Sequence, residues 1–299
     1  MKYFVARGEH RRLDPTTRGQ LRGSFMECSD GVTHYELAGP DNGELVLLSP
    51  GTTIPLFYWD GLAEELHQRG YRTLAYSGYG RGYSDRVRAV YDESLFVRQL
   101  SDLTTRLGLH GPWHVIGASL GALVAMAFTA RHMEQTMTLT LVGPAGLDTQ
   151  RPTGAGLLRH ARLGALLGRN LGNRLLENHL SHNVRDPERS AALSAMVRAC
   201  YEFEGSIYAL FATIADYPLT SRQPLYAQTG QSPVPSLLLW GDEDQVTPIT
   251  RLDEARELLT PVEWHVIRKC GHMAPYERPT DVAVRFDAFA QQVGRRAQR

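Results

Sequence analysis

The chain is almost without lysine, has few cysteines and carries no net charge. Its 299 residues contain lysine only at Lys2 and Lys269, and the 32 basic residues are balanced by 32 acidic ones. This balance gives no indication of binding to nucleic acid or to an anionic membrane surface. Cys28, Cys200 and Cys270 are far apart and form no C-x-x-C pair, which indicates neither a disulfide framework nor a zinc site.

Long apolar runs are also missing. No stretch approaches the roughly 20 apolar residues that a membrane-spanning helix needs. Residues 1–22 are polar, contain five arginines and lack an apolar core region of the kind found in secretory signals. We therefore expect no secretory signal, a flexible, loosely held N-terminal arm over residues 1–22, and a cytoplasmic protein.

Short apolar runs alternate with amphipathic stretches along most of the chain. Two short strands, Ser24–Cys28 and Val32–Ala38, flank a Ser-Asp-Gly hairpin signal. The runs that follow are typical of strands buried on both faces, and they are Glu44–Ser49, Arg72–Tyr76, Trp113–Gly117, Thr138–Val142, Ser236–Trp240 and Val262–Ile267. Helices are predicted over Trp59–Arg69, Asp92–Leu107, Leu120–His132, Ile249–Leu259 and Thr280–Val293. This alternation predicts an α/β fold with a doubly wound, mostly parallel sheet.

The alternation is interrupted between residues 144 and 230. In this stretch the patterns are helical, at Gly156–Leu167, Asn173–Leu180, Glu188–Glu202 and Ser206–Ala215. Because the strand–helix pattern resumes afterwards, we interpret residues 144–230 as a helical cap inserted into a core of residues 23–143 and 231–299. Ligands of open α/β sheets bind at the carboxyl edge of the strands, which is the edge that such a cap would cover.

A glycine-flanked serine connects one buried strand to the following helix. The Trp113–Gly117 strand runs into the sequence G-A-S-L-G at Gly117–Gly121. A G-x-S-x-G pattern alone is common, but between a strand and a helix it is typical of a nucleophile elbow. The serine of an elbow has a strained backbone, and its glycines allow strand and helix to pass closely. Ser119 is therefore the candidate nucleophile.

A serine hydroxyl needs a base, and the last two predicted strands are followed by suitable groups. Asp242 and Asp244 follow the first of these strands, and His272 follows the second. Because the carboxyl ends of parallel strands lie at one edge of a sheet, we expect these side chains to lie near Ser119.

The other histidines have placements that do not favour catalysis. His114 and His265 lie inside predicted strands, where core or edge positions explain them. His179 and His182 have a spacing that a metal site can use, but the sequence supplies no third ligand. We therefore expect neither a metal ion nor a cofactor.

These motifs resemble those of the α/β-hydrolase superfamily, in its capped branch of esterases, lactonases, C–C bond hydrolases and proline iminopeptidases. The resemblance covers about residues 31–293. It implies that the acid is the fourth position of the pattern G-x-x-D-x-x-x-P, which is Asp244, with Asp242 as the alternative. The family ending G-H-x-x-x-x-E-x-P matches Gly271–Pro279 and implies that His272 is the base.

The resemblance also implies an oxyanion hole made of two backbone N–H groups. One belongs to Leu120, directly after the nucleophile. The other comes from Ser49–Pro55, which we call the oxyanion loop. Thr52 is the expected donor and Thr53 the alternative, because this chain has Pro50 where the family usually has histidine.

A second glycine-rich segment, Ser77–Asp85, resembles the G-x-G-x-S segment of the family, and we call it the glycine loop. It contains no G-K-[ST] sequence and no Rossmann spacing, so it does not indicate a phosphate site. We interpret it as a structural support for the oxyanion region.

Together these features predict a serine hydrolase that cleaves an ester or lactone of a moderately hydrophobic small molecule. The alternatives are hydrolysis of a C–C bond in a diketone or of a thioester, and a non-enzymatic small-molecule binding protein with this fold. Epoxide hydrolysis and dehalogenation are disfavoured because they use an aspartate at the elbow. We expect a small-molecule substrate and neither nucleic acid nor a membrane as partner, and the sequence leaves the oligomeric state open.

An apolar pocket is expected beneath the cap. Its candidate lining residues are Thr53, Phe57, Tyr208, Phe211 and Met273. Core packing is the alternative explanation for the aromatic members of this set. Arg159, Arg162 and Arg198 are candidates for binding a substrate carboxylate, and solvated helix faces explain them equally well.

Overall fold

A computed structural model describes residues 1–149, 161–180 and 184–297. The strands are β1 (Ser24–Glu27), β2 (Val32–Ala38), β3 (Leu45–Ser49), β4 (Arg72–Tyr76), β5 (Trp113–Ala118), β6 (Thr136–Val142), β7 (Ser236–Gly241) and β8 (Glu263–Ile267). The helices are α1 (Pro15–Arg18), α2 (Asp60–Gln68), α3 (Glu93–Arg106), α4 (Leu120–Arg131), α5 (Ala161–Leu180), α6 (Pro187–Tyr201), α7 (Ser206–Asp216), α8 (Gln223–Gly230), α9 (Leu252–Leu259), α10 (Ala274–Glu277) and α11 (Pro279–Ala297). None of the helices in the described ranges is both long and apolar enough to cross a membrane.

The strands form one eight-stranded sheet in the order β1-β2-β4-β3-β5-β6-β7-β8. The pairs β1–β2 and β2–β4 are antiparallel, and every later pair is parallel. The predicted fold class is therefore confirmed, and each predicted strand has an observed counterpart whose bounds differ by at most two residues. After β3 the chain forms β4 on one side of β3, and it then forms β5 on the opposite side of β3. Ligand crevices of open α/β sheets lie at such a point, here beyond the carboxyl ends of β3 and β5.

The connection between β5 and α4 is unusually close to the end of β3. A Cβ atom on Gly121, in the first turn of α4, would lie 2.1 Å from the carbonyl oxygen of Ser49 and 2.5 Å from that of Pro50. A Cβ on Gly117 would lie 2.4 Å from the carbonyl oxygen of Gly121. Residues 120–129 of α4 are all buried, so the helix is surrounded by protein. The two glycines thus allow three backbone segments to meet at one end of the sheet.

Helices α5 to α8 lie between β6 and β7, where the cap was predicted. The two helices expected at Gly156–Leu167 and Asn173–Leu180 are replaced by the single helix α5, and the part before residue 161 lies outside the described residues. The helix runs through two glycines that leave space for neighbouring side chains. A Cβ on Gly168 would lie 2.2 Å from the ring of Phe4, and one on Gly172 would lie 2.3 Å from Ile207. Helix α8 was not predicted, and the division of the chain at residues 144 and 230 stays an interpretation.

The N-terminal arm makes more contacts than its composition suggests. Phe4 is 1% exposed and packs edge-on against Tyr208 and Phe211 of α7, at centroid distances of 6.0 and 6.4 Å. The carboxylate of Glu9 accepts hydrogen bonds from the backbone N–H groups of Gly205 (2.9 Å) and Ile207 (2.7 Å). The backbone N–H groups of His10 and Arg11 also donate to the carbonyl of Glu202, at 2.8 and 3.0 Å. The described arm is thus packed against residues 202–211, although its composition predicts a loosely held segment.

Glu9 takes the place of an N-cap residue for α7. The residue before this helix is Gly205, which has no side chain to accept the free N–H groups of the first turn. Glu9 also accepts from the N–H of Ala6 at 2.7 Å. Burial raises the pKa of Glu9, and these three N–H donors act in the opposite direction because they stabilise the carboxylate.

Replacing Glu9 with alanine should lower the free energy of unfolding by about 2 kcal/mol, because buried N–H groups then lack an acceptor. Urea unfolding followed by circular dichroism measures this change. Glu204→Ala is the matched control, since Glu204 pairs with the exposed side chain of Arg12 and should contribute little. Equal losses in the two variants would contradict the capping role.

Gly121→Ala should destabilise the protein by about 2 kcal/mol or more, because its Cβ cannot fit beside the Ser49 carbonyl without a backbone shift. Gly294→Ala is the control within α11. Within the described ranges, nothing outside the backbone of this helix lies within 4 Å of a Cβ built there, so this change should stabilise the helix by about 0.5–1 kcal/mol. Thermal unfolding of both variants gives the comparison. A Gly121→Ala variant as stable as the parent protein would rule out the close approach.

Candidate active site

Ser119 lies at the sharp turn between β5 and α4. Its backbone has a φ of 56° and a ψ of −122°, a combination that costs free energy for a residue with a side chain. The turn is held by a hydrogen bond from the N–H of Ser119 to the carbonyl oxygen of Val142, at 3.1 Å. The side chain is half-buried at the carboxyl end of the sheet. This strained turn is the geometry that the G-x-S-x-G pattern predicts.

Asp244 and His272 form a buried pair at the ends of β7 and β8. Oδ2 of Asp244 lies 2.8 Å from Nδ1 of His272, and each side chain is 1% exposed. The other oxygen, Oδ1, accepts the backbone N–H groups of Val246 and Thr247, both at 2.9 Å. The hydroxyl of Thr247 donates to Oδ2 at 2.8 Å. Both carboxylate oxygens are thus held by donors, and the imidazole is oriented by the carboxylate.

The structure distinguishes the two carboxylates that the sequence left open. Asp242 faces the other way, and its Oδ1 accepts the backbone N–H of Cys270 at 3.2 Å. It therefore supports the loop that carries His272 and does not contact the imidazole. Glu277 supports the same loop, because its Oε2 accepts the N–H of Gly271 at 2.9 Å.

Ser119 and His272 both approach the chain at the end of β6. A Cβ on Gly143, directly after β6, would lie 3.1 Å from Oδ2 of Asp244 and 3.5 Å from Nδ1 of His272. The preceding residue, Val142, accepts the N–H of Ser119. Both Ser119 and His272 are within the described ranges, and no hydrogen bond joins their side chains there. Catalytic hydrogen bonds are often long in a site without substrate and shorten when it binds.

The oxyanion loop passes directly over the serine. A Cβ on Gly51 would lie 3.4 Å from Cβ of Ser119, so the loop backbone is in contact with the elbow. Leu120 is the first residue of α4, and its N–H has no acceptor within the helix. The carbonyl of Thr52 accepts a hydrogen bond from Nε of Arg81 at 2.6 Å. The choice between Thr52 and Thr53 as the second donor stays a prediction.

The glycine loop supports the oxyanion loop, as expected, through contacts that the sequence did not identify. Besides the bond from Arg81, the hydroxyl of Ser77 accepts the backbone N–H of Leu56 at 3.0 Å, just past the end of the oxyanion loop. In the sequence, Arg81 is recognisable only as one letter of the glycine-rich motif. Thr247 was likewise missed as a support for Asp244, although it lies inside the quoted aspartate motif.

The predicted pocket residues occupy several environments. Thr53 and Met273 are buried, and in the sequence they directly follow Thr52 and His272. Oγ1 of Thr53 is without a hydrogen-bond partner among the described residues. Phe57 packs against His34 and Tyr83, at centroid distances of 5.5 and 5.4 Å. Tyr208 and Phe211, as described above, contact the N-terminal arm. A role for this set in lining the pocket stays a prediction.

The remaining candidate histidines and arginines lie away from the site or outside the described residues. His114 and His265 lie in β5 and β8, as predicted. Arg198 forms an ion pair with Glu177 on the cap surface. Arg159 and His182 lie outside the described residues, as do the side chains of Arg162 and His179.

Comparison with known proteins agrees with this architecture. A model of the alpha/beta hydrolase fold family matches residues 44–279. Monoacylglycerol lipase abhd6-B of Xenopus laevis is 23% identical over 250 residues, which cover 80% of this chain and 73% of the lipase. The 2-hydroxy-6-oxo-6-(2'-aminophenyl)hexa-2,4-dienoic acid hydrolase of Metapseudomonas resinovorans is 23% identical over 226 residues, or 72% of either chain.

Among solved structures, a thermophilic esterase from Thermogutta terrifontis has a TM-score of 0.77 and 20% sequence identity, with 91% of this chain and 99% of the esterase covered. A likeness at this level of identity shows the fold alone. The residues matched by the family model, however, include the serine elbow and the strand ends that carry Asp244 and His272. The chain is a hydrolase that belongs to the α/β-hydrolase fold family.

Proposed function

We propose that this protein is a serine hydrolase that cleaves a carboxylic ester or lactone of a moderately hydrophobic small molecule through an acyl-enzyme. The observation that carries the proposal is the buried Asp244–His272 pair, 2.8 Å between Oδ2 and Nδ1. Ser119 lies at the same edge of the sheet, at the carboxyl end of β5, in a strained elbow conformation. Nothing in a binding function requires this combination.

The proposed reaction begins with proton transfer from Ser119 to His272. Because the hydrogen bond to Asp244 assigns a proton to Nδ1, Nε2 is the free base. As the serine oxygen bonds to the substrate carbonyl carbon, its proton moves to Nε2, and Asp244 stabilises the resulting imidazolium. The imidazolium then protonates the departing alkoxide. Water activated by His272 finally attacks the acyl-enzyme and regenerates the serine.

The negative oxygen of each tetrahedral intermediate needs hydrogen-bond donors. We assign these to the N–H of Leu120 and to that of Thr52, with Thr53 as the alternative. Loss of one such donor typically costs about 3–4 kcal/mol of transition-state stabilisation. The contact between Gly51 and Ser119 supports this assignment, since it brings the oxyanion loop to the nucleophile.

A second candidate function is hydrolysis of a C–C bond in a diketone on the same residues. One of the two relatives described above is named as the hydrolase of a dienoic acid, and the other as a monoacylglycerol lipase. The two are equally identical to this chain, so this comparison does not separate ester from C–C hydrolysis. A substrate panel of short p-nitrophenyl esters, lactones, thioesters and ring-cleavage diketones decides between them.

Ser119→Ala should lower the turnover of the preferred substrate by at least about 1,000-fold, because no other group forms the acyl-enzyme. It should also abolish labelling by a fluorophosphonate probe, detected by mass spectrometry of the intact protein. Ser29→Ala, at an exposed serine on the β1–β2 turn, is the control and should retain both properties. Full activity in Ser119→Ala would overturn the proposed function.

The two aspartates after β7 provide a second, matched test. Asp244→Asn should lower kcat by roughly 1,000- to 10,000-fold, because an amide favours the wrong tautomer of His272. Asp242→Asn has the same change of charge two residues away but leaves the imidazole contact intact. It should retain kcat within about threefold. A larger loss in Asp242→Asn than in Asp244→Asn would reassign the acid.

A further inference from the structure

A fully buried arginine connects the oxyanion loop to the cap. Arg81 is 2% exposed, and its guanidinium donates to three acceptors on three segments of the chain. These are the carbonyl of Thr52 (2.6 Å), the carbonyl of Tyr79 in the glycine loop (2.7 Å) and Oγ1 of Thr213 on α7 (2.8 Å).

All three of these acceptors are neutral. Burial lowers the pKa of Arg81, and no carboxylate in the described ranges lies within ion-pair distance of it. Aromatic rings provide part of the surroundings, with the guanidinium carbon 5.4 Å from the centroid of Phe96. A buried cation without a counter-ion is a costly arrangement, so packing alone does not account for an arginine at this position.

The bond to Thr52 acts on the peptide group between Thr52 and Thr53, whose N–H is the alternative second donor of the proposed oxyanion hole. A trans peptide holds the Thr52 carbonyl and the Thr53 N–H antiparallel, so a fixed carbonyl also fixes that N–H. It restricts the backbone of Thr52 as well, which orients the N–H of Thr52 itself. A charged donor on the carbonyl further polarises the peptide group and strengthens its N–H as a donor.

We propose that Arg81 is a positioning residue for the oxyanion loop, which it holds in the orientation that receives the tetrahedral intermediate while joining it to α7 of the cap. The inference rests on the proposed serine hydrolase function. It assigns to Arg81 no contact with the substrate. Its effect is expected when negative charge develops on the carbonyl oxygen, and not when the neutral substrate binds.

A second, partly buried arginine provides a matched control. Arg86 follows Arg81 by five residues and also joins the glycine loop to the cap, through the carbonyl of Cys200 (2.9 Å) and Oγ of Ser206 (2.8 Å). None of its hydrogen bonds in the described part of the chain reaches the oxyanion loop. Arg86→Gln therefore removes a comparable cationic connection without touching Thr52.

The test compares Arg81→Gln, Arg81→Lys and Arg86→Gln with the parent protein. Steady-state kinetics on a p-nitrophenyl ester gives kcat and KM. The inhibition constant of a trifluoromethyl ketone, which forms an anionic tetrahedral adduct with serine, is measured beside that of the corresponding alcohol, which forms no adduct.

For Arg81→Gln we expect kcat and ketone affinity to fall together by about 10- to 100-fold. This loss is smaller than that caused by removing an oxyanion donor, because the donor is misplaced and not removed. KM and alcohol affinity should stay within about threefold. Arg81→Lys should recover part of the loss, because the ammonium can still reach one carbonyl. Arg86→Gln should lower the melting temperature but keep kcat and ketone affinity within about threefold.

Ketone affinity within threefold of the parent in both Arg81 variants would overturn the inference, as would an equal loss in Arg86→Gln. If Arg81→Gln does not fold, Arg81→Lys alone decides by the same criterion. Activity that survives Ser119→Ala would instead overturn the proposed function itself. The two failures are therefore distinguishable.

Discussion

The first turn of α4 lies against the carbonyl oxygens of Ser49 and Pro50, and the remainder of the site depends on this contact. It is possible only because Gly121 has no side chain at a point where a Cβ would lie 2.1 Å from an oxygen. The contact brings the helix N-terminus, the strained serine and the oxyanion loop together at the sheet crevice. The strain at Ser119 is offset by hydrogen bonds, because its N–H donates to Val142 of β6 and its carbonyl accepts from the N–H of Ala145.

The sheet and the position of the candidate site could be predicted because both depend on local sequence patterns. Buried parallel strands appear as continuous apolar runs, so the strand bounds were nearly correct, and groups that follow such strands must share one edge of the sheet. Asp244 and Asp242 could not be separated in this way, because both follow β7. The choice depends on how the turn directs each side chain, and the N–H groups of Val246 and Thr247 determine it.

The features that sequence reasoning missed all depend on contacts between distant residues. Glu9 is 196 residues from Gly205, and nothing near Glu9 indicates that a helix of the cap lacks its own N-cap. The gap between the two helices predicted in this region contains Gly168 and Gly172, which have a low helix propensity, yet Phe4 and Ile207 occupy the space they leave. The role of Arg81 could not be predicted for the same reason. Its partners are two backbone carbonyls and one hydroxyl, which leave no charge pattern in the sequence.

The predicted chemistry and the choice of substrate depend on different parts of the molecule. A serine with a histidine base can attack the carbonyl of an ester, a lactone, a thioester or a diketone in the same way. The substrates differ in the group that leaves: an alkoxide or thiolate takes its proton from His272, whereas a carbanion must be stabilised before carbon is protonated. Such stabilisation requires groups near the departing carbon that ester cleavage does not need. The substrate is therefore selected by the groups that surround the leaving group and not by the predicted triad.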